Sequence, residues 1–167
     1  MWSRPCIGLG PIGLLLACGL ASGVEIKDEP NGFNGYVWGS SVSKYPLLAP
    51  ADGLGTTATR VKFFIIPGEV VTLNEVVLTD VLYRFVEDHL VSIQLNYRGR
   101  KNRDLVMRWV EDHYGRLTPT ERKMLHQVEW HGTNTVVSLS YNKPSDKGQL
   151  VFMSPALTDQ YNETDAH

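Results

Sequence analysis

The sequence predicts an α+β domain, in which an antiparallel sheet of about five to six strands has one main helix packed across it. Three observations favour this class. Most of the chain after residue 60 consists of short segments rich in β-branched and aromatic residues. Consecutive segments are joined by short turns, which suit antiparallel pairing and imply no crossover connection. One longer segment has the apolar periodicity of a helix.

The clearest strand covers residues 91–98, where apolar and polar side chains alternate. This period of two is typical of a strand with one buried face. A tight corner joins it to a second alternating segment, residues 81–87. The other predicted strands share a β-rich composition between turn signals: residues 60–66, 127–131, 135–142 and 149–153.

The main helix is predicted between Asn102 and Gly115. Asn102 can cap its N-terminus, and Gly115 can end it. The apolar side chains between them form one stripe: Leu105, Val106, Trp109, Val110 and Tyr114. A shorter helix of about two turns is predicted from Thr118, because the following proline and Glu121 complete the pattern of a helix start.

Residues 1–23 predict a secretory signal peptide. One basic side chain, Arg4, precedes an apolar run from residue 7 to residue 17, and small residues follow. This arrangement is typical of a cleaved leader, whereas a transmembrane helix needs a run of roughly 20 apolar residues. The sequence therefore predicts export, with the periplasm as the destination.

Two ways of processing this leader remain open. Ala21 and Gly23 place small side chains at the positions preferred before a cleavage at Val24. Residues 15–18 instead resemble a bacterial lipobox, in which Cys18 becomes a lipidated first residue. The lipid would then tether the protein to a membrane.

Composition divides the rest of the chain into three parts. Residues 24–34 are polar and rich in turn formers, which predicts a tether. Residues 35–157 predict a single α+β domain, and residues 158–167 a disordered C-terminal tail.

Charge and cysteine content exclude several classes of function. Cleavage before Val24 removes 23 of the 167 residues and leaves 15 basic against 18 acidic residues, a net charge of −3. It also removes both cysteines, which excludes a disulfide, a thiolate nucleophile and a cysteine-bound metal. A mildly negative chain gives no reason to expect nucleic acid as a partner.

The predicted sheet is wider than its helix. Six strands span about 24 Å, whereas a helix of roughly 13 residues covers about 20 Å by 10 Å. Sheet curl, residues 35–50, the Thr118 helix or another molecule must therefore cover the remaining apolar surface. Apolar side chains predicted on the other face are Phe64, Ile66, Leu82, Val86, Val136 and Val151. We expect a protein partner at the cell envelope to contact this face through Phe64, Leu82 and Val86.

The sequence does not contain the motifs of nucleotide-binding loops, serine hydrolases, zinc proteases or EF-hands, and we expect neither an enzyme nor a cofactor. Two alternatives remain. Trp38 and Trp130 can line an aromatic groove of a small-ligand carrier. His126, Glu129 and His131 lie close together on a predicted strand and can bind zinc, which would make a zinc-dependent enzyme.

Several stretches carry a resemblance to a known group: residues 35–41 (GYVWGSS), 81–98, 111–115 (EDHYG), 127–141 and 150–157. They are similar to a set of uncharacterised exported proteins and lipoproteins of Gram-negative bacteria. Those proteins share a W-G-x-S start, a strand pair, a helix ending in Tyr-Gly and a W-x-G turn, which here is Trp130-His131-Gly132. The resemblance spans residues 32–157 and implies a periplasmic α+β domain. It implies no activity and no catalytic residue.

Overall fold

The computed structural model describes residues 24–51, 60–119, 121–123 and 127–164. The predicted signal peptide, the candidate lipidation residue Cys18 and the zinc candidate His126 lie outside these described residues.

The described part of the chain contains twelve strands and two α-helices. The strands are β1 (Val24–Glu25), β2 (Gly32–Phe33), β3 (Tyr36–Val37), β4 (Ala49–Pro50), β5 (Val61–Ile65), β6 (Thr72–Leu73), β7 (Val76–Val77), β8 (Asp80–Val86), β9 (His89–Arg98), β10 (Gln127–His131), β11 (Val136–Asn142) and β12 (Lys147–Met153). The α-helices are α1 (Arg100–Tyr114) and α2 (Pro155–Thr164), and 3₁₀ turns lie at Val42–Lys44 and Glu121–Lys123.

Eight strands form one sheet in the order β1-β10-β11-β12-β9-β8-β5-β4. Every neighbouring pair is antiparallel except β1 and β10, which are parallel. The α+β class and its largely antiparallel sheet are therefore confirmed. The predicted number of strands is too small, because β1 and β4 are edge strands of two residues each. A strand of two residues is too short to show an alternating pattern in the sequence.

One face of the sheet, which we call the core face, packs against α1. Val106 and Val110 of α1 are fully buried there. The alternate strand positions on this face are apolar or aromatic and belong to the same core cluster: Val81, Tyr83, Phe85, Ile93, Leu95, Tyr97, Val128, Trp130, Val137, Leu139, Leu150 and Phe152. The hairpin of β6 and β7 contacts α1 and adds Leu73 and Val76.

The segment around β2 and β3 covers the rest of the core face. Phe33 stacks on Phe152 with 4.5 Å between ring centroids. Tyr36 lies against Tyr83 at the same centroid distance of 4.5 Å. Phe33 and residues 35–50, which are one of the predicted covers, thus pack against parts of the core face beside α1.

The ends of α1 agree only partly with the prediction. The helix begins at Arg100, and Gly99 occupies the cap position at φ 94°, a left-handed conformation that favours glycine. Asn102 is therefore not the cap, and its side-chain amide donates to the carbonyl of Arg98 at 2.7 Å. Gly115 does end the helix, and its N–H donates to the carbonyl of Glu111 at 3.2 Å.

The predicted start at Thr118 has the expected reciprocal bonds. The Thr118 N–H donates to Glu121 Oε2 at 2.7 Å, and the Glu121 N–H donates to Thr118 Oγ1 at 3.3 Å. These bonds satisfy backbone donors that a helix start leaves free. The turn that follows within the described residues is a single 3₁₀ turn rather than two α-helical turns.

The prediction of a polar tether at residues 24–34 is wrong. β1 pairs with β10, and Ile26 is buried. The carboxylate of Glu29 accepts hydrogen bonds from the backbone N–H groups of Asn134 and Thr135. The Glu29 side chain thus binds the turn between β10 and β11, which a sequence pattern alone does not reveal.

The prediction of a disordered tail from residue 158 is wrong as far as Thr164, where α2 ends. Ser154 caps the helix, because its Oγ accepts from the N–H of Leu157 at 3.5 Å and its carbonyl accepts from the N–H of Thr158 at 3.0 Å. Pro155 then occupies the first helical position, where its missing N–H costs nothing. Residues 165–167 lie outside the described part of the chain.

Candidate functional site

The second face of the sheet is the candidate functional site. Helix α2 packs against one end of it, where Tyr161 meets Val86 and Val91. Because directly opposed residues of antiparallel strands share a face, the register defines what lies beyond that end. We call this part the open face, and its ten residues are Glu129, Ser138, Val151, Gln94 and Leu82 in one row and Gln127, Ser140, Gln149, Asn96 and Asp80 in the next.

A hydrogen-bonded chain of side chains occupies the open face on β8 and β9. Gln94 Nε2 donates to Asn96 Oδ1 at 2.9 Å, and Asn96 Nδ2 donates to Asp80 Oδ1. Asp80 Oδ2 accepts from the hydroxyl of Thr79 at 3.2 Å. These contacts fix the direction of both amides, so the pattern of donors and acceptors on this part of the face is defined before anything binds.

A second group of polar side chains lies on β10 and β11. Gln127 Nε2 donates to Glu129 Oε1 at 2.7 Å and to Ser138 Oγ at 3.1 Å. Val151 lies between the two polar groups, and Leu82 lies beyond the first of them, both partly exposed. Apolar side chains set among oriented amides and hydroxyls have the mixed character of a protein–protein interface.

The structure separates the three predicted contact residues. Leu82 lies on the open face as predicted. Val86 lies on the same side of the sheet but is only 4% exposed, because α2 covers it. Phe64 lies on the core face opposite Tyr83, where it packs edge-on against Phe85 with 5.1 Å between ring centroids. The segment around Phe64 is apolar without alternation, so its sequence could not assign a face.

Trp38 and Trp130 are both buried in the core cluster and do not form an open groove. The indole N–H of Trp38 donates to Thr135 Oγ1 at 2.8 Å, and that of Trp130 donates to the carbonyl of Gly115 at 2.7 Å. Both rings therefore have internal partners. Their role is to fill the core and to join the α1 end and the β10–β11 turn to the sheet.

The zinc candidates are only partly described. Glu129 and His131 lie two residues apart on β10, and His131 Nε2 is 3.2 Å from Glu129 Oε2. His126 lies outside the described residues. Within those residues no three histidine, cysteine, aspartate or glutamate side chains come together to hold a metal ion.

A cavity of about 440 Å³ lies beside α1, away from the open face, and sequence reasoning missed it. Buried Glu111 stands in its wall and accepts hydrogen bonds from Arg122 at 2.6 Å and 2.7 Å and from the N–H of Leu117 at 3.0 Å. The acid thus joins α1 to the segment that follows it. The residues lining the cavity are Lys101, Arg103, Asp104, Met107, Arg108, Glu111 and Arg122.

Comparison of the chain with protein-family models, with curated proteins and with solved structures finds no match. Among the described residues, neither α-helix has the length and apolar character needed to cross a membrane.

Proposed function

We propose that this protein is an exported, non-catalytic domain that binds a protein partner at the cell envelope through the open face. The observation that carries the proposal is the contrast between the two sides of one sheet. Among the residues that the structure describes, α1 and the segments around β2, β3, β6 and β7 cover the core face, whereas α2 covers only the Val86 end of the other side.

The composition of the open face supports a protein as the partner rather than a membrane. Its ten residues include four amides, two serines, two acids and only two aliphatic side chains, Leu82 and Val151. A lipid surface would favour a larger apolar area or a dense basic patch. A folded protein can match oriented amides with its own polar groups and cover the two aliphatic side chains.

Export is supported by the predicted signal peptide and by the resemblance to exported proteins. The intact mass of protein recovered from the host envelope tests it and separates cleavage before Val24 from acylation at Cys18. If the protein is recovered from the cytosol with Met1 retained, export to the envelope is wrong.

Photo-crosslinking tests the open face itself. A photoreactive amino acid at position 82 should give one dominant crosslinked protein in envelope extract, whereas the same probe at Val77, which is 58% exposed on the β7 strand, should not. Leu82→Lys should then weaken binding of the purified, crosslink-identified protein at least tenfold, because a charge would be buried in the interface.

Val77→Lys is the matched control, since it adds the same charge on an exposed strand outside the open face. Circular dichroism should give both variants the spectrum of the unmodified chain. Equal crosslinking at both positions, or unchanged affinity of the Leu82→Lys variant, would argue against the open face as the binding surface.

A further inference from the structure

Two cations oppose each other where the open face ends. Arg98 is the last residue of β9, Lys147 is the first residue of β12, and the two are direct partners in the antiparallel ladder. Both are exposed. Opposed side chains have Cβ atoms about 5 Å apart, and like charges placed there destabilise a sheet. Folding therefore gives no reason for this pair.

The nearest acid of the open face does not neutralise the pair. Asp80 lies one row away and accepts hydrogen bonds from Asn96 and Thr79 instead of from a cation. Across the ranges that the structure describes, neither Arg98 nor Lys147 makes an ion pair. Both positive charges thus face solvent.

The two cations line a hollow of about 230 Å³ at this end of the open face. A water molecule occupies about 30 Å³ of liquid, so the hollow has room for a side chain of several heavy atoms. Its other lining residues are mainly polar: Thr79, Asp80, Asn96, Tyr97, Gly148 and Gln149.

The local charge favours an anion. The side chains that line the hollow include two cations, Arg98 and Lys147, and one acid, Asp80. The acid within the hollow, Asp80, already has two hydrogen-bond donors, which reduces its repulsion of an incoming negative group.

We propose that this hollow binds a carboxylate of the protein partner, an aspartate or glutamate side chain seated between Arg98 and Lys147. The guanidinium of Arg98 offers a planar pair of donors to the two carboxylate oxygens, and the ammonium of Lys147 adds a second positive charge. The amide of Gln149 lies in the same hollow and can donate a neutral hydrogen bond. This inference rests on the proposed function, because the hollow is one end of the open face.

A peptide titration followed by amide chemical shifts tests the ligand chemistry. The probes are an acetylated and amidated Gly-Asp-Gly-Glu-Gly peptide, the same peptide with Asn and Gln in place of the acids, and inorganic phosphate. The acidic peptide should shift the amide signals of Arg98, Lys147 and Gln149 at millimolar concentration, and Lys147→Gln should weaken this binding at least fivefold.

Absence of shifts with the acidic peptide, or equal shifts with the neutral peptide, would overturn the inference. Tighter binding of phosphate than of the acidic peptide would overturn a protein carboxylate as the source of the anion.

The free protein gives a second readout. Lys147→Gln removes the repulsion and should raise the melting temperature by about 1–3 °C while it weakens binding. Lys62→Gln is the matched control, because Lys62 is an exposed strand lysine whose direct partner is the uncharged Phe85. The control should change neither property. A lower melting temperature for Lys147→Gln would contradict the repulsion on which the argument depends.

The two proposals can fail separately. If Leu82→Lys abolishes binding of the crosslinked partner and Lys147→Gln leaves it unchanged, the open face binds a protein but the carboxylate contact is wrong. If neither variant changes binding, the proposed function itself fails.

Discussion

The core face and the open face are made from alternate residues of the same strands, yet their side chains interact in different ways. On β12, Leu150 and Phe152 are fully buried, whereas Val151 between them remains partly exposed. The core face consists of interlocking apolar groups, and the open face consists of amides and hydroxyls that bond to one another along the surface. The core face carries the apolar packing of the domain, and the proposed function assigns recognition to the open face.

The largest expected effect is unfolding at high pH, because the tyrosines with strongly raised pKa values lie at the core face. Burial raises the pKa of Tyr114 to about 12, and it raises those of Tyr83 and Tyr97 further above the ordinary value. These tyrosines belong to the core cluster. Each group is neutral in the folded state, so its stabilisation is complete below the unfolded pKa near 10 and is lost as the pH rises through the folded value.

We therefore expect cooperative unfolding between about pH 10 and pH 12, with tyrosinate absorbance and loss of circular dichroism changing together. Independent ionisation of all the tyrosines near pH 10 with the fold intact would show that the core face admits water.

Substitutions at two neighbouring residues of β12 should give the next largest difference, measured as the loss of free energy of unfolding. Phe152→Ala removes a fully buried ring that contacts Phe33 and Tyr114, and it should lower the free energy of unfolding by about 3–5 kcal/mol. Val151→Ala, one residue away on the open face, should lower it by less than about 1 kcal/mol. Urea denaturation measures both values. Similar losses would mean that the open face is packed as tightly as the core.

Loss of a hydrogen bond should also cost more stability on the core side than on the open face, although the difference is smaller. Thr135→Val removes the acceptor of the Trp38 indole N–H and the donor to the carbonyl of Pro30, at a residue that is fully buried. Leaving such groups unsatisfied should cost about 1–3 kcal/mol. On the open face, Asn96→Ala breaks bonds to Asp80 and Gln94 that water can replace, and it should cost at most about 0.5 kcal/mol.

Thermal and urea unfolding measure this pair of variants as well. An equal cost for Thr135→Val and Asn96→Ala would mean that the amide chain on the open face contributes to folding rather than to recognition.

Periodicity, together with β-rich composition between turn signals, was enough to predict the six long strands and most of α1. Residues 91–98 alternate clearly because one side of β9 is apolar and the other polar, and the stripe of α1 faces a single core. The same reasoning could not place Phe64, whose neighbours are apolar on both sides of the strand. It also missed α2, although Ser154 and Pro155 form a recognisable helix start, because the helix itself is polar and packs through few residues.

Of the open face, the sequence predicted the two aliphatic residues, Leu82 and Val151, but not the polar residues around them. The open face brings together Glu129, Ser138, Val151, Gln94 and Leu82 from five strands, and this set depends on the register of four strand pairs. Register arises from turn geometry and from the packing of the whole core. The opposition of Arg98 and Lys147 is hidden in the sequence for the same reason, since 48 intervening residues separate the two.

The pairing of β1 with β10 has a consequence for the order in which parts of the molecule fold. Glu29 bonds to Thr135 across a separation of 106 positions, and β1 pairs with the equally distant β10. Contacts between such remote positions form only after a large loop has closed. If the polypeptide crosses the inner membrane unfolded with its leader first, these opening residues must wait for nearly the whole length to arrive. The segment that enters first would then be the last to find its place.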